Sequence, residues 1–381
     1  MLYFLFLWRF KVSGKYENSL GLIVMDGCKE LGNSVNKKIM KKRDSKDSFI
    51  IPVTLPRFSN GEGKAIVKEG TAIDKDIYIL SDPGNYGLTY RMFNIKEQHM
   101  SPDDHYQDIK RVISAINGEA DRITVVMPML YASRQHRRNA GESLDCALAL
   151  QELQNLGVKR IITYDVHDPS VQNALSPSTS FESFYPTNTM MQQFIKNEDF
   201  DPDNILFIGP DNGAMGRAIY NANMFNADVG MFYKRRDLSK LVNGKSPVVA
   251  HEYLGKDLEG KTLVIVDDII SSGDSMLDVA KDLKNKGAGK IYMFTSFALF
   301  TDGVEEFNKA YIEGYFDSVY STNLTYIDDD VAKMPWYKKV DCSGHLSDVI
   351  DTLNCSKSAE SLKNGKQKIL KMLKDKKEGK L

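Results

Sequence analysis

The chain has 381 residues, 42% hydrophobic and 27% charged, with 50 basic and 51 acidic side chains and a net charge of −1. Its length allows about two domains at roughly 100–200 residues each. The balanced charge excludes a bulk basic field, so neither nucleic acid nor a membrane surface is expected as a partner, and any dealings with anions must come from local clusters.

Residues 1–18 open with "MLYFLFLWRF", too short an apolar run to span a bilayer, which takes about 20 residues. No basic region precedes it and no small-residue cleavage site follows, so no signal peptide is expected and the segment reads as an extension. "LGLIVMDG" (Leu20–Gly27) is the first expected strand, and "RFSNGEGK" after it reads as a turn. "KDIYILSDPGN" is the next strand. A long irregular insertion follows around Tyr86–His105. "RITVVMPMLYASRQHRR" and "KRIITYDVHDPS" are further apolar, β-branched runs that end in polar clusters. A Ser/Pro/Thr-rich stretch from Gln172 to Thr187 suggests a boundary.

The second half repeats the pattern. "NILFIGPDNGAMGRAIYNA", "DVGMFYKRRD" and "TLVIVDDIISSGDSMLDVAKDL" each carry a strand into a polar cluster. The residues from Leu238 to His251 read as a loop. "KIYMFTSFALF" and "SVYSTNL" complete the strands, and a Lys-rich tail begins at Lys357, read as a solvated helix or disorder. The expected organisation is an extension (1–18), two domains (19–178 and 179–356) and a tail (357–381). Strands alternating with helical patterns give an α/β fold, with two mainly parallel sheets flanked by helices. Cys28, Cys146, Cys342 and Cys355 have no metal-type or framework spacing, which fits a reducing cytoplasm.

In such folds ligands sit beyond the carboxyl ends of the strands, and that is where the polar clusters fall. Asp267 and Asp268 end the run Leu263–Val266, where carboxylates can accept hydrogen bonds from two sugar hydroxyls. Ser271, Ser272, Gly273, Asp274 and Ser275 follow, small residues that let backbone N–H groups converge ahead of a helix from about Met276. That makes a phosphate cradle. No G-x-x-x-x-G-K-[ST] loop occurs, so a sugar phosphate suits the cradle better than a triphosphate. A plain N-capped helix is the bland alternative. Arg134 and Gln135 offer fork and amide donors to phosphate oxygens. His167 and Asp211 can hold a divalent cation directly or through its water. Lys234, Arg235 and Arg236 can neutralise charge on a transferring group.

"VIVDDIISSGDS" resembles the phosphoribosyl-pyrophosphate loop of the phosphoribosyltransferase fold. "YASRQHRR", with Arg134 and Gln135, resembles the nucleotide-binding stretch of ribose-phosphate pyrophosphokinases. "RFSNGEGK" resembles that family's adenine turn through Phe58, Asn60, Gly61 and Glu62. The resemblance runs in family order over most of residues 20–325. It implies ATP and ribose 5-phosphate as substrates and phosphoribosyl pyrophosphate and AMP as products. It further implies Mg²⁺ at His167 and Asp211, with Lys234 and Arg236 as catalytic residues. Ribose 5-phosphate would be held by Arg236, Asp267, Asp268 and residues 271–275. A homo-oligomer, dimer-based up to a hexamer, is implied as well. Departures are Asn60 and His136 in place of acids, Ser271 where many relatives carry a third acid, and "DPSVQNALSP" after His167. Two rival readings are a base-salvage phosphoribosyltransferase, which leaves Arg134–Gln135 and the adenine turn unexplained, and a non-catalytic regulator, which leaves Lys234, His167, Asp211 and Asp267 unexplained.

Overall fold

A computed structural model of the chain describes Tyr16, residues 19–236 and residues 248–381, the side chains of 234–236 and 248–251 excepted. The expected extension, Tyr16 apart, and residues 238–247 of the expected loop lie outside the described residues. In chain order the first half contains β1 (Leu20–Val24), α1 (Lys29–Arg43), β2 (Val53–Thr54), β3 (Ile66–Val67), β4 (Asp76–Leu80), β5 (Thr89–Met92) and β6 (Ile95–His99). It continues with α2 (Pro102–Ile116), β7 (Arg122–Val126), α3 (Asp145–Asn155), β8 (Arg160–Tyr164) and β9 (Ser180–Phe184). The second half contains α4 (Thr187–Asn197), β10 (Ile205–Gly209), α5 (Met215–Phe225), β11 (Asp228–Arg236), β12 (Val248–Leu254), β13 (Thr262–Ile270) and α6 (Asp274–Asn285). After these come β14 (Ile291–Ala298), α7 (Glu305–Ile312), β15 (Ser318–Thr322), α8 (Asp329–Ala332), β16 (Tyr337–Val340), α9 (Ser343–Asn354), α10 (Glu360–Lys363) and α11 (Lys366–Lys377).

The first main sheet has the order β1-β4-β7-β8-β9 and is parallel throughout. The second has the order β12-β11-β10-β13-β14-β15-β16 and is parallel except where β12 runs against β11. Alternation along each strand divides the core, because successive side chains point to opposite faces. Leu22 and Val24, Tyr78 and Leu80, and Ile162 and Tyr164 of the first sheet share one cluster with Phe207, Val264, Val266, Tyr292 and Phe294 of the second. Residues of α1, α4, α5, α9 and α11 fill the space between them. The odd-numbered neighbours Ile23, Ile77, Ile79 and Ile161 face a separate cluster with α2 and α3. Leu263, Ile265, Ile291 and Met293 likewise face α6 and α7. The result is five layers, with a helical layer shared by both sheets.

Four expectations need correction. The insertion is ordered: β5 and β6 form an antiparallel hairpin, and Ser101 starts α2 with a capping box to Asp104. The Ser/Pro/Thr-rich stretch contains β9, paired with β8, so the first sheet runs to Phe184, past the expected boundary at 178. Residues 248–251 belong to β12 rather than to a loop. The Lys-rich tail forms α11, which packs on α4 and α5 and buries Ile369, Met372 and Leu373.

Candidate active site

β13 carries the buried run Thr262–Val266 into Asp267 and Asp268 and continues to Ile270. The turn into α6 depends on Gly273, whose φ is +95°; a Cβ there would lie 2.2 Å from Phe307 Cε2. Gly273 also makes the helix start two residues before Met276, and no side chain caps it. The first amide groups of α6 are thus left for a ligand, with the positive end of the helix dipole behind them. The capped-helix alternative for Asp274 or Ser275 is not what forms.

Across the seam between the sheets, the ends of β7 and β8 meet the ends of β13 and β14. Arg134 Nη1 lies 3.5 Å from Ser271 Oγ. His167 Nδ1 lies 2.8 Å from Asp268 Oδ2. Arg217, on α5, donates Nε to Asp165 Oδ1 at 2.8 Å and Nη2 to the carbonyls of Val166 and His167 at 3.0 and 3.3 Å. Its Nη2 also lies 3.3 Å from Asp268 Oδ2. Ser296 Oγ donates to Asp165 Oδ2 at 2.6 Å. Asp165 holds a φ of +38°, an uncommon conformation for a non-glycine residue, and these two bonds fix its side chain.

The network separates the adjacent carboxylates. Burial opposes ionisation of Asp268, but the His167 hydrogen bond and the Arg217 charge outweigh it and hold the carboxyl down to about 2. Burial, then the neighbouring Asp268 charge, push Asp267 well above the usual carboxylate range. An ionised Asp268 only accepts, so Nδ1 of His167 donates in that bond, and Nε2 is the ring nitrogen left for a ligand. A carboxylate that fixes a histidine in this tautomer is a common support for a metal ligand, so His167 fits that role. Asp211 Oδ1 accepts the Ala214 N–H at 3.0 Å, and Asp211 is near enough for its charge to raise Asp267. Among the described residues no group of three His, Cys, Asp or Glu side chains could hold a cation by itself. The protein would therefore supply a minority of the ligands, as is usual for a cation that also binds substrate phosphates.

Gln135 and Arg134 line an open hollow of about 330 Å³ with Tyr131, Met129 and Asp145. Lys234 and Arg236 lie at the end of β11, two strands from β13, with their backbone paired to β12; their side chains are outside the described residues. The turn at 58–62 is held by its own bonds. Phe58 is 53% exposed, Asn60 Nδ2 donates to Glu62 Oε2 at 2.9 Å, and Glu62 N donates to Asn60 Oδ1 at 3.1 Å. The β5–β6 hairpin supports the turn through Phe93 N, which donates to Ser59 O at 2.6 Å. Among the described residues no hydrogen bond or ion pair joins this turn to Arg134 or Gln135. Sequence reading missed Arg217 and Ser296. Arg217 stood in view as a lone basic residue in "GAMGRA", with no spacing to mark it; Ser296 sits inside an apolar strand with no signal at all.

Two parallel sheets that meet at their carboxyl edges, one bearing a glycine turn into an uncapped helix, define an α/β protein of phosphoribosyltransferase type. Residues 20–157 match the model of the N-terminal domain of ribose phosphate pyrophosphokinase, and residues 186–313 match the phosphoribosyl transferase domain. The chain belongs to the ribose-phosphate pyrophosphokinase family. It is 24% identical to ribose-phosphate pyrophosphokinase A of Dictyostelium discoideum over 309 residues, 80% of this chain and 88% of that one. It is 29% identical to the ribose-phosphate pyrophosphokinase of Mycoplasmopsis pulmonis over 317 residues, 80% and 86% of the two chains. The fold matches the crystal structure of phosphoribosylpyrophosphate synthetase from Mycobacterium smegmatis with a TM-score of 0.71 at 18% identity, covering 88% of this chain and 98% of that one.

Proposed function

We propose that the protein transfers the β,γ-pyrophosphoryl group of ATP to O1 of ribose 5-phosphate, giving 5-phosphoribosyl 1-pyrophosphate and AMP. The observation that carries this reading is the Arg134–Ser271 approach at 3.5 Å, which sets a phosphate-binding side chain of the first domain against the cradle of the second. A donor triphosphate at Arg134 and a sugar phosphate at residues 271–275 would then share one cleft.

The amide groups of the cradle, with Ser272, Gly273, Asp274 and Ser275, hold the 5-phosphate. Asp267 takes the ribose hydroxyls, and Asp268 orients His167. Arg134 and Gln135 hold the triphosphate. O1 attacks the β-phosphorus in line, and the α,β-bridging oxygen leaves with AMP. Lys234 and Arg236 stabilise charge on the transferred group, and Arg236 also faces the sugar phosphate. Mg²⁺ held at His167 and Asp211 would neutralise phosphate oxygens. Catalysis is then mostly positioning and electrostatics.

Phe58, Asn60, Gly61 and Glu62 bind adenine in this reading. The family resemblance supports a homo-oligomer in which the turn completes a neighbour's site. Among the described residues no helix is long and apolar enough to cross a membrane and no disulfide forms; a cytoplasmic setting rests on the cysteine pattern. The test is AMP release from ATP, ribose 5-phosphate and Mg²⁺ with no nucleobase added. Stoichiometric AMP and phosphoribosyl pyrophosphate are expected. A purified chain that releases none, alone and at high protein concentration, would overturn the reading, and release only when a base is supplied would identify a salvage transferase.

A further inference from the structure

His136 has no part in the scheme above, yet its imidazole packs beside that of His167. Its ring centroid is 5.2 Å from that of His167, with the planes tilted by 58°. The side chain is 14% exposed, and its Nε2 lies 3.4 Å from Asp168 Oδ2. Its Nδ1 is buried and has no hydrogen-bond partner among the described residues. A polar atom buried without a partner is costly, so an orphan beside a candidate cation ligand calls for an occupant. With Nε2 facing Asp168, Nδ1 is the ring nitrogen of His136 left for a ligand. Its ring neighbours that of His167, whose Nε2 is not the atom bonded to Asp268.

A second imidazole changes which cation fits. Mg²⁺ is small and hard and prefers carboxylate, phosphate and water oxygens. Imidazole nitrogen suits the later first-row ions, and affinity rises from Mn²⁺ towards Co²⁺ and Ni²⁺. We propose that His136 is a second imidazole ligand of the divalent cation held at His167, and that the site consequently prefers a transition-metal ion such as Co²⁺ or Mn²⁺ to Mg²⁺. Phosphate oxygens and water complete the coordination, with Asp211 acting through that water, because no group of three His, Cys, Asp or Glu side chains among the described residues could hold a cation directly. The proposal rests on His167 being a cation ligand, as in the function proposed above.

The test uses the full chain with an ATP analogue carrying an α,β-methylene bridge, so that no turnover occurs. Co²⁺ is titrated by calorimetry and visible absorption, Mg²⁺ by competition, and Mn²⁺-loaded protein is read by electron spin echo for directly bound nitrogen. The unaltered chain should show two nitrogen couplings. His136→Asn should lose one of them and bind Co²⁺ roughly 10–100-fold more weakly, a span typical of perturbing a metal's ligand environment, with Mg²⁺ affinity nearly unmoved. His136→Asp supplies an oxygen instead and should shift preference back towards Mg²⁺, which also guards against a folding defect in the Asn variant. Unchanged couplings and Co²⁺ affinity in both His136 variants would overturn the proposal. If His167→Asn alone then removes a coupling, the cation site stands and His136 is only a partner of Asp168. If His167→Asn removes nothing either, the cation reading of His167 fails as well.

Discussion

Asp82 follows β4 and is fully buried, yet it grips the second domain. Its carboxylate accepts from Thr325 Oγ1 at 3.0 and 3.1 Å, from Tyr326 N at 2.7 Å and from Gly84 N at 3.0 Å. Burial pushes its carboxyl up from 3.8 to about 6, and the three donors limit the rise. A carboxyl raised in the folded state binds its proton more tightly there than in the unfolded chain. Its contribution is therefore fully present below pH 3.8 and is lost as pH rises through about 6. Between pH 4.5 and 7.5 the unaltered protein should lose roughly 2 kcal/mol more stability than Asp82→Asn. Urea denaturation of both proteins at the two pH values measures this; parallel pH profiles would show that Asp82 is not the titrating group. Asp267, Asp268, His167 and Arg134 were legible in the sequence because polar side chains at strand ends need a reason. Asp82 and Arg217 were not, because their partners lie far along the chain: 243 residues from Asp82 to Thr325 and 52 from Asp165 to Arg217.

At the scale of elements, the turn from β13 to α6 is the most constrained piece of the site. Positive φ at Gly273 and the ring of Phe307 behind it leave no room for a side chain. Gly273→Ala should cost at least about 1–2 kcal/mol, since it adds an unfavourable backbone conformation to a steric clash, and should raise the KM for ribose 5-phosphate more than that for ATP. Denaturation and steady-state kinetics read the two effects; equal rises in both KM values would mean that the cradle does not hold the sugar phosphate. The long apolar strands were readable from pattern alone, because both faces of a parallel sheet are covered. β9 was not: "SFESF" is a half-exposed edge strand inside a stretch whose Ser, Pro and Thr suggest a linker. The β5–β6 hairpin was hidden for a similar reason, as its residues are largely exposed and lack a clean alternation.

Over the whole molecule, the helical layer between the sheets joins the two ends of the chain. α9 lies on α1, where Arg43 Nε reaches Asp351 Oδ1 at 2.7 Å and Ser34 Oγ reaches Ser343 Oγ at 2.9 Å. Asn354 Nδ2, fully buried, donates to Asp76 Oδ2 at 2.8 Å beside the Arg122–Asp76 pair. α11 adds Ile369, Met372 and Leu373. Ending the chain at Asn364 should remove on the order of 5 kcal/mol, from about 1.5–3 kcal/mol per buried apolar side chain, discounted because unfolded chains already bury part of such surface. Thermal unfolding of the truncated chain tests this, and a melting temperature within a degree of the full chain would show the tail to be decoration. Pattern reading found two sheets but assigned the tail to solvent, because lysines spaced around a short apolar stripe look alike on a free helix and a docked one.

That shared layer also orders events at the ribosome. β1 and α1 leave the ribosome some 300 residues ahead of α9, which covers them. At about 5–20 residues per second, the apolar stripe of α1 with Val35 and Ile39 waits on the order of tens of seconds for its cover. The first domain is thus born with an open flank. A nascent chain stalled before residue 343 would present that flank to chaperones and to other nascent copies, while a chain whose α9 has emerged would close it from within.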